Sequence, residues 1–387
     1  SYHRYMGQPD KIYTLKGFIQ KDRLHIYKDL YIDRIVLGNF TASFGQGVIL
    51  ETNDYFSPRK TGFGFTKRNE GIHGDLTRSS QYVMNGGAIQ FSSNTIRSTI
   101  FASYHPRDAI INNPNDADSL FIQDGDTINV QNSYTSMIVM QPRLPFGAND
   151  DRINIYHSLI KSINELTWGG NLRFTPIIGT NIGFTFFESL YDRYHIPKIK
   201  QSVTGGDSDY SGDDYYLMYI TNSADAEIAS MDTSVSKSNL WSEAKSFYRV
   251  RGFDFSTVIG NLSLQGEYGE MLKDNQLLHF GRSPSALVLS AYAQFDNLNI
   301  LTLYRNYDLA FDNPYQRSFS NYQRYKTSIF EDTYWLVDPI YSYLYSGNPQ
   351  PQSEEGFFVS SRYQFHRSFV GYLNWDTWNR KADNAKY

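Results

Sequence analysis

Residues 164–186 read NELTWGGNLRFTPIIGTNIGFTF, and the alternation in this stretch decides the fold. From Asn164 to Thr175 one set of alternate positions carries Leu166, Trp168, Gly170, Leu172 and Phe174. The other carries Glu165, Thr167, Gly169, Asn171, Arg173 and Thr175. After the break Ile178-Gly179-Thr180-Asn181, the apolar set resumes at Ile182, Phe184 and Phe186 against Gly183 and Thr185. Successive side chains of a strand point to opposite faces, so the stretch is a β-hairpin with one greasy and one polar side.

The unit recurs along the chain. Gly87, Ile89 and Phe91 oppose Ala88 and Gln90, and Ile96, Ile100 and Tyr104 oppose Arg97, Thr99 and Ser103. Leu262, Leu264 and Tyr268 oppose Ser263, Gln265 and Glu267. Leu287, Leu289, Ala291, Ala293 and Phe295 oppose Ser290, Tyr292 and Gln294. Phe357, Val359, Tyr363 and Phe365 oppose Ser360, Arg362 and Gln364. These runs are about 9–13 residues long, whereas globular strands are usually about 5–6. Crossing a bilayer takes about 9–11.

Connections alternate in size. Short turns fall at 92–95, 178–181, 259–261, 296–298 and 366–367, and long polar connections at 54–81, 106–132, 192–245 and 310–355. That asymmetry is expected of an outer-membrane barrel, with short turns on one rim and long loops on the other. Four strands are read before the first long loop, at 11–20, 23–32, 33–42 and 46–53. Between loop 106–132 and turn 178–181 the parity asks for three crossings, at 133–141, Ile153–Ile160 and 165–177; the alternative for 151–163 is a short helix inside the lumen. The fold class is therefore all-β: one transmembrane antiparallel β-barrel domain over residues 1–387, with room for a further strand at each end or an N-terminal segment outside it. It should have about 16 strands, within roughly 14–18, and the parity puts both termini on the long-loop rim.

Composition agrees. The 387 residues include 31 Tyr and 26 Phe but only 40% hydrophobic residues, so much of the apolar surface comes from rings. The longest stretch free of Asp, Glu, Lys and Arg, Ser79–Ile96, is polar, so no transmembrane helix is present. With no cysteine there is neither a disulfide scaffold nor a Cys-based zinc site. A net charge of −4 gives no electrostatic case for nucleic acid. The chain opens without Met or a signal-peptide pattern, as a processed or partial chain does.

In this reading the lipid-facing residues are Leu166, Trp168, Leu172, Phe174, Ile182, Phe184, Phe186, Leu262, Leu264, Leu287 and Leu289. The lumen is lined by Arg97, Asn171, Arg173, Gln265, Glu267, Gln294, Arg362 and Gln364, with water or a polar plug between them. Tyr104, Tyr191, Tyr194, Tyr248, Tyr307, Trp375 and Trp378 lie near strand ends, as an aromatic girdle would.

Chemistry-bearing motifs are few. Phe44-Gly45-Gln46-Gly47 and Thr61-Gly62-Phe63-Gly64-Phe65 lack the helix and Lys of a phosphate cradle. Their glycines suit a bulge, a bend or a loop's close approach to the wall. The clusters Asp116/Asp118, Asp124/Asp126 and Asp207/Asp209/Asp213/Asp214 offer oxygen donors to calcium. They lack the spacing of a calcium loop and read as hydrated loops, so no cofactor or metal is expected. His73 near Asp75 and His105 near Asp108 are what a rim hydrolase would use, without further support, and no catalytic residues are assigned.

The run Arg34-Ile35-Val36-Leu37-Gly38-Asn39-Phe40 followed by Phe44-Gly45-Gln46-Gly47-Val48-Ile49-Leu50 resembles a block in large outer-membrane proteins of Bacteroidota and relatives, labelled helix-hairpin-helix domain-containing. Similar pieces follow in the same order: Gly62-Phe63-Gly64-Phe65, Asn85-Gly86-Gly87-Ala88, Phe101-Ala102-Ser103-Tyr104 with Asp108-Ala109, Gly169-Gly170-Asn171-Leu172 and Asn313-Pro314-Tyr315. Asn39 stands where the family commonly has Asp, and the helix-hairpin-helix segment is absent, so no DNA role carries over. The resemblance implies a surface barrel of unassigned activity. The function expected is a non-enzymatic pore or a transport or assembly scaffold in a bacterial outer membrane. Loops 192–245 and 310–355 are its surfaces for cell-surface partners. The rivals are a membrane-embedded hydrolase and a soluble carbohydrate-binding β protein.

Overall fold

The computed structural model describes side chains across residues 15–52, 70–76, 83–107, 161–193, 246–272, 279–281, 284–308 and 355–379, and at 109, 311 and 313–316. Twelve long strands fall here. They are β1 (Phe18–Tyr27), β2 (Leu30–Ser43), β3 (Met84–Ser92), β4 (Ile96–Arg107), β5 (Ile163–Ile177) and β6 (Thr180–His195). Then come β7 (Lys245–Ile259), β8 (Leu262–Met271), β9 (Ser285–Gln294), β10 (Leu298–Tyr307), β11 (Glu354–His366) and β12 (Phe369–Arg380). All lie in one sheet in chain order, every neighbouring pair antiparallel, with β1 and β12 at its two ends. The short strand Gly71–Gly74 also pairs with the end of β2. No helix occurs among the described residues.

The strands are paired as six hairpins by short turns, two of them at Gly179 (φ 90°) and Gly260 (φ 56°), a backbone conformation glycine adopts freely. The long connections all leave from the opposite rim. Neither pairing of β1 with β12 nor sixteen strands is seen among the described residues.

Two expectations are corrected. Before residue 54 there are two strands of the sheet rather than four, joined at Lys28-Asp29. Arg23 takes a left-handed φ of 52° and a register shift falls between Ile32 and Arg34, so the alternation slips twice inside continuous strands. In sequence those slips read as chain breaks. Residues 46–52 form no strand of the sheet; among the described residues a single bridge joins Glu51 to Ser43.

The three crossings between β4 and turn 178–181 reduce to one. β5 pairs directly with β4, from Ile163↔Arg107 to Phe174↔Ile96, leaving no place in the sheet for a strand between them. Ser133–Met137 instead pairs beyond the end of β4, with Ala109–Ile111 and with Tyr194 and His195. Residues 153–160 lie outside the described residues.

The sheet is strongly curved. Ser43 ends β2, and three residues later the Gln46 N–H donates to Glu267 on β8 at 2.5 Å. Six interstrand steps of about 4.8 Å would separate β2 from β8 by roughly 29 Å in a flat sheet. Three residues of chain span at most about 11 Å, and one glutamate adds only a few more. One face is therefore concave, and it wraps the loop.

The faces divide as the alternation predicts. On the convex face Leu166, Trp168, Leu172, Phe174, Ile182, Leu262 and Leu289 are exposed, and Phe184, Phe186, Leu264 and Leu287 are partly exposed. On the concave face Glu165, Thr167, Asn171, Arg173 and Thr185 are buried. Among the described residues no second layer covers Leu166, Trp168, Leu172 or Phe174.

Candidate functional site

The concave face is filled at its long-loop end by two segments of the chain's own loops, Phe44–Thr52 and residues 311 and 313–316. Val48, Ile49, Leu50, Phe311 and Tyr315 have no exposed surface. The segments are spliced by Asn313, whose Nδ2 donates to the Val48 and Ile49 carbonyls at 2.9 and 2.8 Å, and by Glu51 N donating to Tyr315 O at 3.0 Å. Ile49 lies against Gly252 and Gly269, where a Cβ on Gly252 would meet Ile49 Cδ1 at 2.8 Å. A glycine there admits the loop to the wall.

Two carboxylates hold the plug from different walls. On β8, Glu267 accepts from Gln46 N (2.5 Å), Val48 N (2.9 Å) and Ile49 N (3.0 Å). On β5, Glu165 accepts from Arg107 Nε and Nη2 at 2.9 and 2.7 Å, from Tyr191 Oη at 2.6 Å and from Tyr315 Oη. Arg107 Nη2 also reaches Tyr315 Oη at 2.7 Å, and Phe187 meets the Tyr315 ring edge-on at 5.4 Å. Burial pushes the Tyr315 phenol above its ordinary range, and Glu165 adds to the effect. The ring therefore stays a neutral donor to the carboxylate.

A third tie crosses two strands. Arg173 on β5 donates to Asp254 on β7 at 2.9 Å and pairs with Glu70. Between them on β6 lies Gly183, in register with both, and a Cβ there would fall 2.1 Å from Asp254 Oδ2. Only an absent side chain lets this pair pass over the intervening strand.

Burial fades toward the short-turn rim. Arg97, at 3.7 Å from Asp33, and Gln294 are exposed; Gln265, Arg362 and Gln364 are partly exposed on the same face. Gln265 accepts from Gln46 Nε2 at 2.8 Å, at the border between dry and wet halves. All eight residues expected on the polar side share the concave face; Arg173, Gln265 and Glu267 are brought into the tie system around the plug, while Asn171 bonds Thr185 at 2.8 Å on the neighbouring strand.

Arg107, Tyr191, Asp254 and Tyr315 were not singled out for this network. Glu165 and Thr167 were legible as polar-face positions of the first hairpin. The girdle is corrected in part: Tyr191, Tyr248 and Tyr307 are buried on the concave face, and Trp378 lies on that face too. Their positions near strand ends suggested lipid, but their phase in the alternation sends them inward. Tyr104 and Trp375 are exposed on the convex face.

The convex face also carries ion pairs: Arg249 on β7 meets Glu188 on β6 at 2.5 Å, and a second pair lies beside it. Arg251 and Glu270, in register on β7 and β8 at 3.3 Å, are buried beneath Phe280, whose ring centre lies 4.1 Å from Arg251 Cζ. The His279 carbonyl accepts from Arg251 at 2.5 Å.

His73 and Asp75 each meet other partners. Asp75 is held by Lys16 at 2.6 Å, and the His73 ring lies 2.5 Å from Arg34 Nη1. Burial, with Arg34 beside it, lowers the basicity of His73. Asp108, the expected partner of His105, and the acidic loops suggested for calcium fall outside the described residues. Among the described residues no group of three His, Asp or Glu is arranged for a metal.

No protein-family profile matches the sequence, and no curated protein is similar to it. Among solved structures, a ferric enterobactin receptor (PfeA) in complex with BCV-L6 is similar at 10% identity and a TM-score of 0.32, over 93% of this chain and 47% of the receptor. A mutant of that receptor from Pseudomonas aeruginosa is similar at 9% identity and a TM-score of 0.28, over 88% and 44%. Wzi of Escherichia coli is described as an outer-membrane protein involved in group 1 capsule assembly and a carbohydrate-binding β-barrel. It is similar at 11% identity and a TM-score of 0.23, over 94% and 80%. The chain spans about half the length of the receptors. Superpositions this loose say nothing of function. The class that fold and site define is a curved antiparallel β-sheet with a loop plug on its concave face.

Proposed function

We propose that the chain is an outer-membrane β-barrel, a pore or transport scaffold whose lumen is closed at the loop end by its own residues 44–52, 311 and 313–316. The observation that carries this reading is the inverted distribution of side chains, mostly apolar on the bare face, where a few ion pairs sit toward the long-loop end, and mostly polar and ionic on the packed one. Fully burying a Leu, Ile or Phe gains about 1.5–3 kcal/mol. Leaving the seven exposed lipid-facing residues about two-fifths exposed to water would forgo roughly 5–9 kcal/mol, comparable with a whole domain's net stability of about 5–15 kcal/mol. Hydrocarbon as the outer solvent removes that deficit, and closure of β1 onto β12 would satisfy the backbone groups of both edges. The two strands run antiparallel to one another, as such closure requires.

The resemblance to surface barrels of unassigned activity agrees with this reading and adds no chemistry. A rim hydrolase is less well supported, because the carboxylate nearest His73 in sequence is engaged by Lys16. The test is extraction followed by planar-bilayer recording. The intact chain should need detergent, and should show little conductance until Gln46–Leu50 is replaced by a Gly/Ser linker, which should yield steady channel steps. A monomer soluble without detergent would overturn the membrane reading, and a linker variant that stays silent would overturn the pore.

A further inference from the structure

The segment Gly45–Ile49 has the form of an anion site. Gly45 and Gly47 both take positive φ, 54° and 83°, which turns nearby N–H groups toward one point. Three of them, on Gln46, Val48 and Ile49, meet the carboxylate of Glu267 at 2.5–3.0 Å. A Cβ on Gly45 would fall 2.7 Å from that carboxyl carbon, so glycine leaves the space the carboxylate occupies. Convergent backbone N–H groups are a general means of capturing oxyanions, including peptide C-termini. Here the anion is the chain's own side chain. Glu267 is nine-tenths buried or more, while Gln265, two residues nearer the short-turn rim, remains partly exposed, so the approach lies from that wetter side.

We infer that residues 45–49 are a carboxylate receptor, kept occupied by Glu267, and that exchange of Glu267 for a carboxylate solute is what releases the plug. This rests on the plugged-pore reading. The sequence pattern Phe44-Gly45-Gln46-Gly47, unsuited to a phosphate cradle, suits a carboxylate, both oxygens of which three N–H groups can engage without a lysine.

The test uses the full chain in detergent and in bilayers. Glu267→Ala should raise the open probability by about tenfold or more. Glu267→Gln should act in the same direction with little loss of β-sheet circular dichroism. Acetate, the severed part of the glutamate, should then raise the unfolding temperature of Glu267→Ala with concentration, and chloride should not. A short peptide with a free C-terminus, compared with its amidated form, distinguishes a peptide source from a free small acid; stabilisation by either carboxylate supports the receptor. No stabilisation by acetate or by the free peptide overturns it. A silent Glu267→Ala beside a conducting linker variant also overturns the inference while leaving the plugged pore standing. If the linker variant is silent too, both fall.

Discussion

The concave face has two halves that differ in solvent although they share strands and alternation. Toward the long loops, Glu165, Thr167, Thr185, Leu303 and Arg305 are buried, and each charge described above meets an opposite charge, a phenol or a backbone amide. Toward the short turns, Arg97 and Gln294 occupy the same phase of β4 and β9 but face solvent, and Thr175 and Asn181 are only partly covered. The difference lies in what the face meets. Loop residues 44–52, 311 and 313–316 dock on the first half and stop short of the second. A dry half makes each ionic tie costly to break, whereas in the wet half water substitutes for a lost partner.

The largest expected effect is in the dry half. Arg107→Ala or Glu165→Ala leaves its partner charge buried and alone, and should cost about 3–5 kcal/mol in urea unfolding of the detergent-folded protein. A cost under about 1 kcal/mol would show that water reaches the network and would dissolve the contrast. Next comes the opposite face. Leu172→Arg should cost about 2–4 kcal/mol in lipid vesicles, as expected for a cation near the bilayer midplane. No penalty would place this position away from hydrocarbon.

Tyr315→Phe removes one hydroxyl shared by Arg107 and Glu165 and should cost about 1–3 kcal/mol, read by the same unfolding curve. In the wet half, Arg97→Gln should change stability by less than about 1 kcal/mol, since its 3.7 Å pair with Asp33 is solvated.

A smaller, pH-dependent effect is expected at His73. Its folded pKa lies below the ordinary 6.5, so the neutral ring is favoured in the folded state. The resulting stability is fully present above pH 6.5 and is lost as pH falls through the folded value. Thermal unfolding should therefore shift downward between neutral and acidic pH, and His73→Gln should flatten that dependence.

How far the site was legible can be followed residue by residue. Asn171, Arg173, Gln265 and Glu267 were placed on the polar side by phase alone, which is a local property of a strand. Tyr191, Tyr248 and Tyr307 lie near strand ends, where lipid-facing rings gather, but their phase turns them to the concave face. The strands before residue 54 were miscounted because Arg23 and the bulge before Arg34 interrupt the period without ending the strand.

Alternation and turn chemistry by themselves determined that the chain forms long antiparallel hairpins, and which side chains share a face, because both depend on neighbours a few residues away. Only the tertiary structure decided what the polar face encloses. The contacts that close it join Gln46 to a carboxylate 221 residues distant and Tyr315 to one 150 residues distant. No local period carries such pairings. They exist because the curved sheet brings distant walls within reach of one short loop.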